Sequence, residues 1–443
     1  MTATMARQKP VHTINSGLVG GIIAVKALSS VLGFSNVIGA DMGGTSFDVE
    51  MIVDGNYEAT PMMRIMTPKS GPAGYPLLIP AIDLHAIGAG GGSIAWIDNA
   101  GALHVGPMSS AASPGPACYG RGGKKPTVTD ANLILKRLDA KYFLGGDMKV
   151  YPELSNQAVK EIADGYGMEM CEAAEGIIKI VVSNMAGAIR TMTIGRGIDP
   201  REFAMVAFGG AGPLHAALIA DELDIKHIVI SSMPGNFSAW GMLMTDLRRD
   251  YVQTHVETLT HLGMSVLASM FEKMENTALK TIQEEAVPIE ESQLLRAVDV
   301  RYEGQGHALS IMIPNGRLTG NDKLVLEKNF DDAHLKRYLH NAPGEPKEIV
   351  ALRLTAIGSM KRATLPRIKK GDNDPTNDAR KGRREIYLKG TFRQCEVYDR
   401  DKLLANNTII GPAIVEERTS TTLLLPDQLM RVDDYGNLLL SEK

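Results

Sequence analysis

Residues 36–61 read NVIGADMGGTSFDVEMIVDGNYEATP: an apolar run ending in Asp41, a Gly43-Gly44-Thr45-Ser46 loop, a second run, an Asp54-Gly55 turn and a third extended segment. In the second run Phe47, Val49, Met51 and Val53 alternate with Asp48 and Glu50, which predicts a strand with one face turned inward. Asp-Gly between two extended runs predicts a two-residue hairpin turn. Gly43 and Gly44 are free to take positive φ and close backbone N–H groups on an anion, while Thr45 and Ser46 add hydroxyl donors. Asp41, at the strand end, stands where a carboxylate holds a magnesium-bound water. The stretch reads as a phosphate-gripping hairpin, and an ordinary hairpin with a Gly-rich turn shares its local pattern.

Upstream, GLVGGIIAVKALSSVLG at 17–33 carries Gly17, Gly20, Gly21 and Ala24 beside Ile22, Leu28 and Leu32. It predicts a helix that approaches a neighbour closely. Lys26 interrupts the apolar run, so it reads as a packed helix and not as a targeting segment. GNFSAWGMLMTD at 235–246 is a second helix of this kind. Between them FAMVAF, Gly209-Gly210-Ala211-Gly212-Pro213 and LHAALIADEL form a strand, turn and helix. Pro213 suits a first helical position, and the free N–H groups there, among glycines, make a nucleotide seat or simply a tight turn.

A further loop, Gly88-Ala89-Gly90-Gly91-Gly92-Ser93, follows Asp83-Leu84-His85. So many glycines cost backbone entropy that a tight turn or close ligand approach offsets, which predicts contact with substrate or phosphate. Asp83 and His85 alternate on an extended segment and so share a face, as metal ligands, an acid–base pair or a structural hydrogen bond. Thr129 and Asp130 read as a helix N-cap, a sufficient reason for that carboxylate.

Composition adds independent bounds. At 443 residues two domains are expected, and 44% hydrophobic with 22% charged residues describes a globular chain. A formal net charge of −4 gives no electrostatic case for nucleic acid or an anionic membrane. Cys118, Cys171 and Cys395 lack metal or redox spacing, and the expected compartment is the cytoplasm.

The order of helix, strand, Asp-x-Gly-Gly-Thr-x-x-Asp and second strand resembles the second phosphate loop of the actin, sugar kinase and heat-shock chaperone ATPase superfamily. More closely, the chain resembles the A-type subunits of the hydantoinase/oxoprolinase family, which include nucleotide-binding subunits of acetone and acetophenone carboxylases. The segments that carry this resemblance are DMGGTSFDV (41–49), DLHAIGAGGGSIAWID (83–98), VGPMSSAASPGPACYGRGG (105–123), PTVTDANLILKRL (126–138), NMAGAIR (184–190), FAMVAFGGAGPLHAALIADEL (203–223) and GPAIVEERTSTTLLLP (411–426).

The resemblance implies an α/β chain: the second half of an actin-like, RNase H-like ATPase over 1–249, with a C-terminal α+β domain over 250–443. It implies ATP with Mg2+ or Mn2+ as cofactors. Gly43, Gly44, Thr45 and Ser46 would hold phosphate, Gly90, Gly91 and Gly92 would approach it, and Gly209, Gly210, Ala211, Gly212 and Pro213 would seat adenosine. Asp41 would hold the metal, and Asp41, Asp83 and His85 would serve catalysis. Helices 17–33 and 235–246 correspond to the hinge. Full-length A-type subunits begin with another Gly-Gly-Thr loop, and only 40 residues precede Asp41 here. The expected partners are therefore a small-molecule substrate, an N-terminal-half subunit carrying that first loop and a B-type subunit, in a hetero-oligomer. The implied activity is phosphorylation of a carbonyl or amide oxygen for ring-opening of a cyclic amide such as a hydantoin. The alternatives are the nucleotide-binding subunit of a ketone carboxylase and a non-catalytic scaffold.

Overall fold

The computed structural model describes residues 3–60, 63–65, 74–77, 81–284, 289–361 and 363–443. Pro61, which ends the stretch quoted above, lies outside them. By internal contacts the chain divides into two compact units, residues 15–243 with 364–443, and residues 1–14 with 244–363.

The larger unit is built on a nine-stranded sheet. In chain order its strands are β1 (Val37–Met42), β2 (Phe47–Val53), β3 (Asn56–Tyr57), β4 (Leu84–Ile87), β5 (Ala204–Phe208), β6 (His227–Ile230), β7 (Thr408–Ile410), β8 (Gln428–Val432) and β9 (Leu438–Glu442). The spatial order is β7-β8-β9-β6-β5-β1-β2-β3, with β4 also on β2. β1, β5 and β6 run parallel, whereas β2 runs antiparallel to β1, β3 and β4. The β2–β3 link is the expected two-residue turn: Asp54 and Gly55 both have positive φ, and Val53 pairs with Asn56.

Helices cover both faces. α1 (Ser16–Leu32) and α5 (Phe237–Leu243) lie on one, and α3 (Met170–Met192) and α4 (Gly212–Leu223) on the other, while α2 (Val128–Ile134) packs on α3. Ile38, Ala40, Met42, Phe47, Val49 and Met51 belong to the core shared with α3 and α4. The alternation in β2 therefore does not divide a buried face from a wet one. Asp48 and Glu50 are 7% and 1% exposed, with α1 lying over Glu50, where a Cβ on Gly21 would stand 3.1 Å from its Oε1. The close approach expected of the small-residue helices is present: a Cβ on Gly20 would overlap the Ser238 carbonyl, and one on Gly241 the Gly20 carbonyl.

α3 is long and apolar enough to cross a membrane by length and composition, yet Ile177, Val181, Met185 and Ile189 are fully buried in this core. A four-stranded sheet, Arg380–Leu388, Thr391–Asp399, Ala413–Glu416 and Thr421–Leu424, completes the unit. Its first strand begins inside the charged run 369–385. Lys381 and Arg384 there reach the buried Glu416 at 2.5 and 2.6 Å, while most charged residues of the run stay exposed.

The smaller unit has a four-stranded antiparallel sheet in the order Leu247–Thr258, Lys347–Met360, Ile289–Tyr302, Leu309–Ile313. Helices Met264–Glu284 and Gly320–Tyr338 bury Leu267, Phe271, Leu326 and Phe330 in its core. The expected domain boundary at 249/250 and these units do not coincide. Residues 364–443 belong to the larger unit, since β9 pairs antiparallel with β6 and carries β8 and β7 with it.

Candidate functional site

The Gly43–Ser46 loop joins β1 to β2 and is closed by one hydrogen bond, Gly43 N–H to the Ser46 carbonyl at 3.1 Å. Among the described residues the amides of Gly44, Thr45 and Ser46 donate to no protein oxygen. Neither glycine has positive φ, contrary to expectation. Their need is for space, since nothing lies within 4 Å of a Cβ built on either, and the loop's bare backbone faces open volume. The Ser46 hydroxyl donates to Asp48 at 3.0 Å, which commits it to that carboxylate.

The second Gly-rich loop is bonded onto the first. Gly91 and Gly92 donate to the carbonyls of Gly43 and Gly44 at 3.0 and 2.7 Å, and Thr129, at the start of α2, donates to the Gly91 carbonyl from both its amide and its hydroxyl. A Cβ on Gly90 would stand 2.5 Å from the Thr45 nitrogen and 2.6 Å from the Gly44 carbonyl carbon. The loop thus serves as a platform for the first. The third loop locks against β1: Ala211 N–H donates to the Met42 carbonyl at 2.9 Å, and Gly209 has φ +79 with no room for a Cβ beside Asp41 and Met42. Pro213 sits in the first turn of α4 and is buried with Gly212.

These three loops border one cleft of ≈ 250 Å³, through Gly43, Gly44, Gly91, Gly92, Gly210 and Ala211. Sequence reasoning did not foresee the rest of the lining. Thr129, Asn132, His215, Tyr142 and Phe143 belong to it, as do Glu417 and Thr419–Thr421. The polar run Glu416–Thr422 was the available signal, inside a segment noted only for its resemblance.

On the opposite face of the sheet from the main core, Asp41 stands across from Asp48 and next to Glu50, which pairs with Gly39. Burial and the neighbouring Asp48 push Asp41 up to about 6, against a hydrogen bond from Ser238. Burial pushes Glu50 well above the usual carboxylate range, and among the described residues neither of its oxygens has a hydrogen-bond partner. Excess buried negative charge beside an open amide loop fits a phosphate-bound divalent cation. Among the described residues no group of three or more His, Cys, Asp or Glu forms a complete ligand set. A magnesium that keeps water and phosphate oxygens needs only one or two carboxylates, a number that Asp41 and Asp48 would match.

Asp83 and His85 do not join these carboxylates. Asp83 forms an ion pair with Arg196. His85 is opposite Val49 on β2 and thus on the core side of the sheet, away from Asp41 and Asp48. Neither borders the cleft, and Asp41 and Asp48 are not among its lining residues either; they adjoin it only through the Gly43–Ser46 loop between them. Asp130 is fully buried and accepts from Ala117, Cys118, Thr127 and Ser155. The cap residue is Thr127, with Asp130 closing a capping box.

His215, on α4, is held neutral at the cleft. Its Nδ1 donates to the Ala211 carbonyl at 2.9 Å, and its Nε2 receives Asn132 Nδ2 at 3.1 Å. Burial pushes it down to about 4. Because the folded value lies below the unfolded one, its stabilising contribution is complete above pH 6.5 and is lost as pH falls toward 4, by about 3 kcal/mol. Raised groups such as Asp41 and Glu417 run the other way. The His215 contribution is therefore read as the difference in denaturation free energy between the unaltered chain and His215→Gln across pH 4–7. Parallel profiles would refute it.

Residues 1–251 match the model of the hydantoinase/oxoprolinase family, and residues 257–442 that of the hydantoinase/oxoprolinase C-terminal domain. An uncharacterized protein of Methanocaldococcus jannaschii is 38% identical over 98% of this chain and 62% of its own length. The caprolactamase subunit alpha of Pseudomonas jessenii is 30% identical over 96% of this chain and 61% of its own. A nucleotide-free structure of acetone carboxylase, from work on ATP-dependent acetone carboxylation, superposes with a TM-score of 0.85 at 25% identity, covering 96% of this chain and 61% of that one. The chain thus spans about three fifths of the length of the curated relatives it matches.

Proposed function

Because this chain belongs to the hydantoinase/oxoprolinase family, we propose that it is the ATP-using subunit of a cytoplasmic hetero-oligomer that activates a carbonyl or amide oxygen by phosphorylation, leading to ring-opening of a cyclic amide. The observation that carries this reading is the meeting of the Gly43–Gly44, Gly91–Gly92 and Gly210–Ala211 loops at one cleft, with the Gly44, Thr45 and Ser46 amides unengaged. Similarity to a caprolactamase subunit supports a cyclic amide as substrate.

Bound ATP with Mg2+ or Mn2+ would supply the phosphoryl group that converts a poor leaving oxygen into a good one. The chain's own share is positioning and electrostatics. The Gly44–Ser46 amides would hold phosphate oxygens, and the Gly91–Gly92 platform would keep that loop fixed. Asp41, with Asp48 beside it, would hold the cation. The Gly209–Pro213 turn would seat the adenosine. Contact of the α1 and α5 glycines, together with the sheet order β3-β2-β1-β5-β6, in which an antiparallel β1–β2–β3 meander adjoins the parallel β1, β5 and β6, supports an actin-like half that closes on a second half. A B-type subunit would complete the hetero-oligomer.

The TM-score of 0.85 to acetone carboxylase favours a second reading, the nucleotide-binding subunit of a ketone carboxylase. ATP turnover by the complex recovered from its host, with hydantoin, oxoproline, caprolactam, acetone and acetophenone, with and without bicarbonate, separates them. Stimulation by cyclic amides without bicarbonate is expected. Stimulation by ketones only with bicarbonate selects the carboxylase, and no stimulation by any substrate returns the chain to a scaffold.

A further inference from the structure

Arg121, Lys124, Lys125 and Lys149 are exposed, and among the described residues none of them forms an ion pair. Backbone contacts place the loop that carries the first three. Ser110 N–H donates to the Gly92 carbonyl at 2.9 Å, and Gly115 N–H to the Ser110 carbonyl at 3.0 Å. A Cβ on Gly123 would overlap the Gly115 carbonyl and stand 3.2 Å from the Pro116 carbonyl carbon. These contacts run from the Gly91–Gly92 platform to the cations by way of Pro116, which borders the cleft. Arg121 lies over the ring of Tyr119, 6.0 Å from its centroid, and Tyr119 borders the cleft as well. Lys149 lies over the ring of Tyr151 at 5.0 Å, and a Cβ on Gly120 would stand 2.7 Å from that same ring. The four cations therefore gather beside the end of the cleft bordered by Gly91 and Gly92.

The charges on the cleft's own border are matched. Glu416 takes Lys381 and Arg384, Asp139 takes Arg384, Arg418 pairs with Asp147, and Glu417 stands 3.8 Å from Arg400. Glu153, in the first turn of helix Pro152–Tyr166, is the exposed carboxylate that follows Lys149, and it leaves the group of four net positive. An exposed charge acts without contact, since its field extends about 10 Å at 0.1 M salt. Unmatched charge of one sign at the mouth of a cleft raises the rate at which an ion of the other sign arrives. Resting on the ATP-using role proposed above, we infer that Arg121, Lys124, Lys125 and Lys149 form a steering lip that draws the nucleotide's triphosphate toward the Gly91–Gly92 end of the cleft. The lip governs how fast nucleotide is captured, and the three loops govern how long it stays, because rim charges act on association and on its salt dependence. It also offsets the field of Asp41 and Asp48, which opposes an approaching polyanion.

The test is stopped-flow association of ATP and of adenosine, each carrying the same fluorescent label, with the full chain and its partner subunits over a range of salt concentrations. For labelled ATP and the unaltered complex, the association rate should fall by about tenfold or more from low to high salt. A variant combining Arg121→Gln, Lys124→Gln, Lys125→Gln and Lys149→Gln should associate about tenfold more slowly at low salt, with a flattened salt dependence and a dissociation rate within about twofold of the original. All four side chains are exposed and unpaired among the described residues, so melting should not change. Labelled adenosine, which carries no phosphate charge, should associate with both complexes at one rate. Equal association of ATP with the two complexes overturns the inference. So does a loss confined to dissociation, which would make these cations direct phosphate ligands, and so does an equal slowing of adenosine, which would mean a disturbed cleft. If the unaltered complex binds no nucleotide at all, the ATP-using role itself fails.

Discussion

Asp41→Asn is expected to lower ATP turnover of the assembled complex by about 10³-fold, the scale on which removal of one preorganised electrostatic group acts. The side chain stands at the strand end beside the open amide loop, with its pKa raised to about 6 by burial and by Asp48. A carboxylate in that state is short of positive charge, which a cation on the nucleotide would restore. Asparagine keeps the shape and the Ser238 contact but not the charge. Stability should hold or rise slightly, because repulsion with Asp48 and Glu50 is relieved. Loss of turnover with unchanged assembly and melting supports the assignment. Unchanged turnover removes Asp41 from the site.

Gly90→Val is expected to abolish turnover by a different route, with a loss of stability of more than about 3 kcal/mol. A Cβ at Gly90 meets Gly44 and Thr45 backbone atoms, not the yielding end of a side chain. The two loops also share the Gly91–Gly43 and Gly92–Gly44 hydrogen bonds, so neither can retreat alone. Gly44→Ala provides the contrast. Nothing lies within 4 Å of its Cβ, so it should leave melting unchanged and act on nucleotide affinity alone. Equal melting of Gly90→Val and Gly44→Ala would show that the platform does not carry the phosphate loop.

The parts of this site that were legible in the sequence are those specified by local chemistry. The β1–loop–β2 hairpin follows from alternation and from Asp54-Gly55, and the strand, turn and helix around Gly209–Pro213 follow from periodicity and proline placement. Long-range pairing was not legible. Nothing local tells that Gly90–Gly92 is a platform for another loop, because backbone approach and ligand approach both favour glycine. Asp83 and His85 alternate as required for a shared face, but which face depends on the register of β4 on β2. Asn132 and His215 read as ordinary helix residues until α2 and α4 are brought together. The 249/250 boundary came from the resemblance, and the sheet draws β7, β8 and β9 back to β6.

Amide hydrogen exchange of the complete complex with and without ATP and Mg2+ addresses the three-loop cleft directly, since among the described residues the Gly44–Ser46 amides have no protein acceptor. Protection confined to 43–46, 90–92 and 209–215 is the predicted result. Nucleotide binding that leaves those amides exchanging as before, with protection elsewhere in the complex, would contradict the assignment of this cleft as the ATP site.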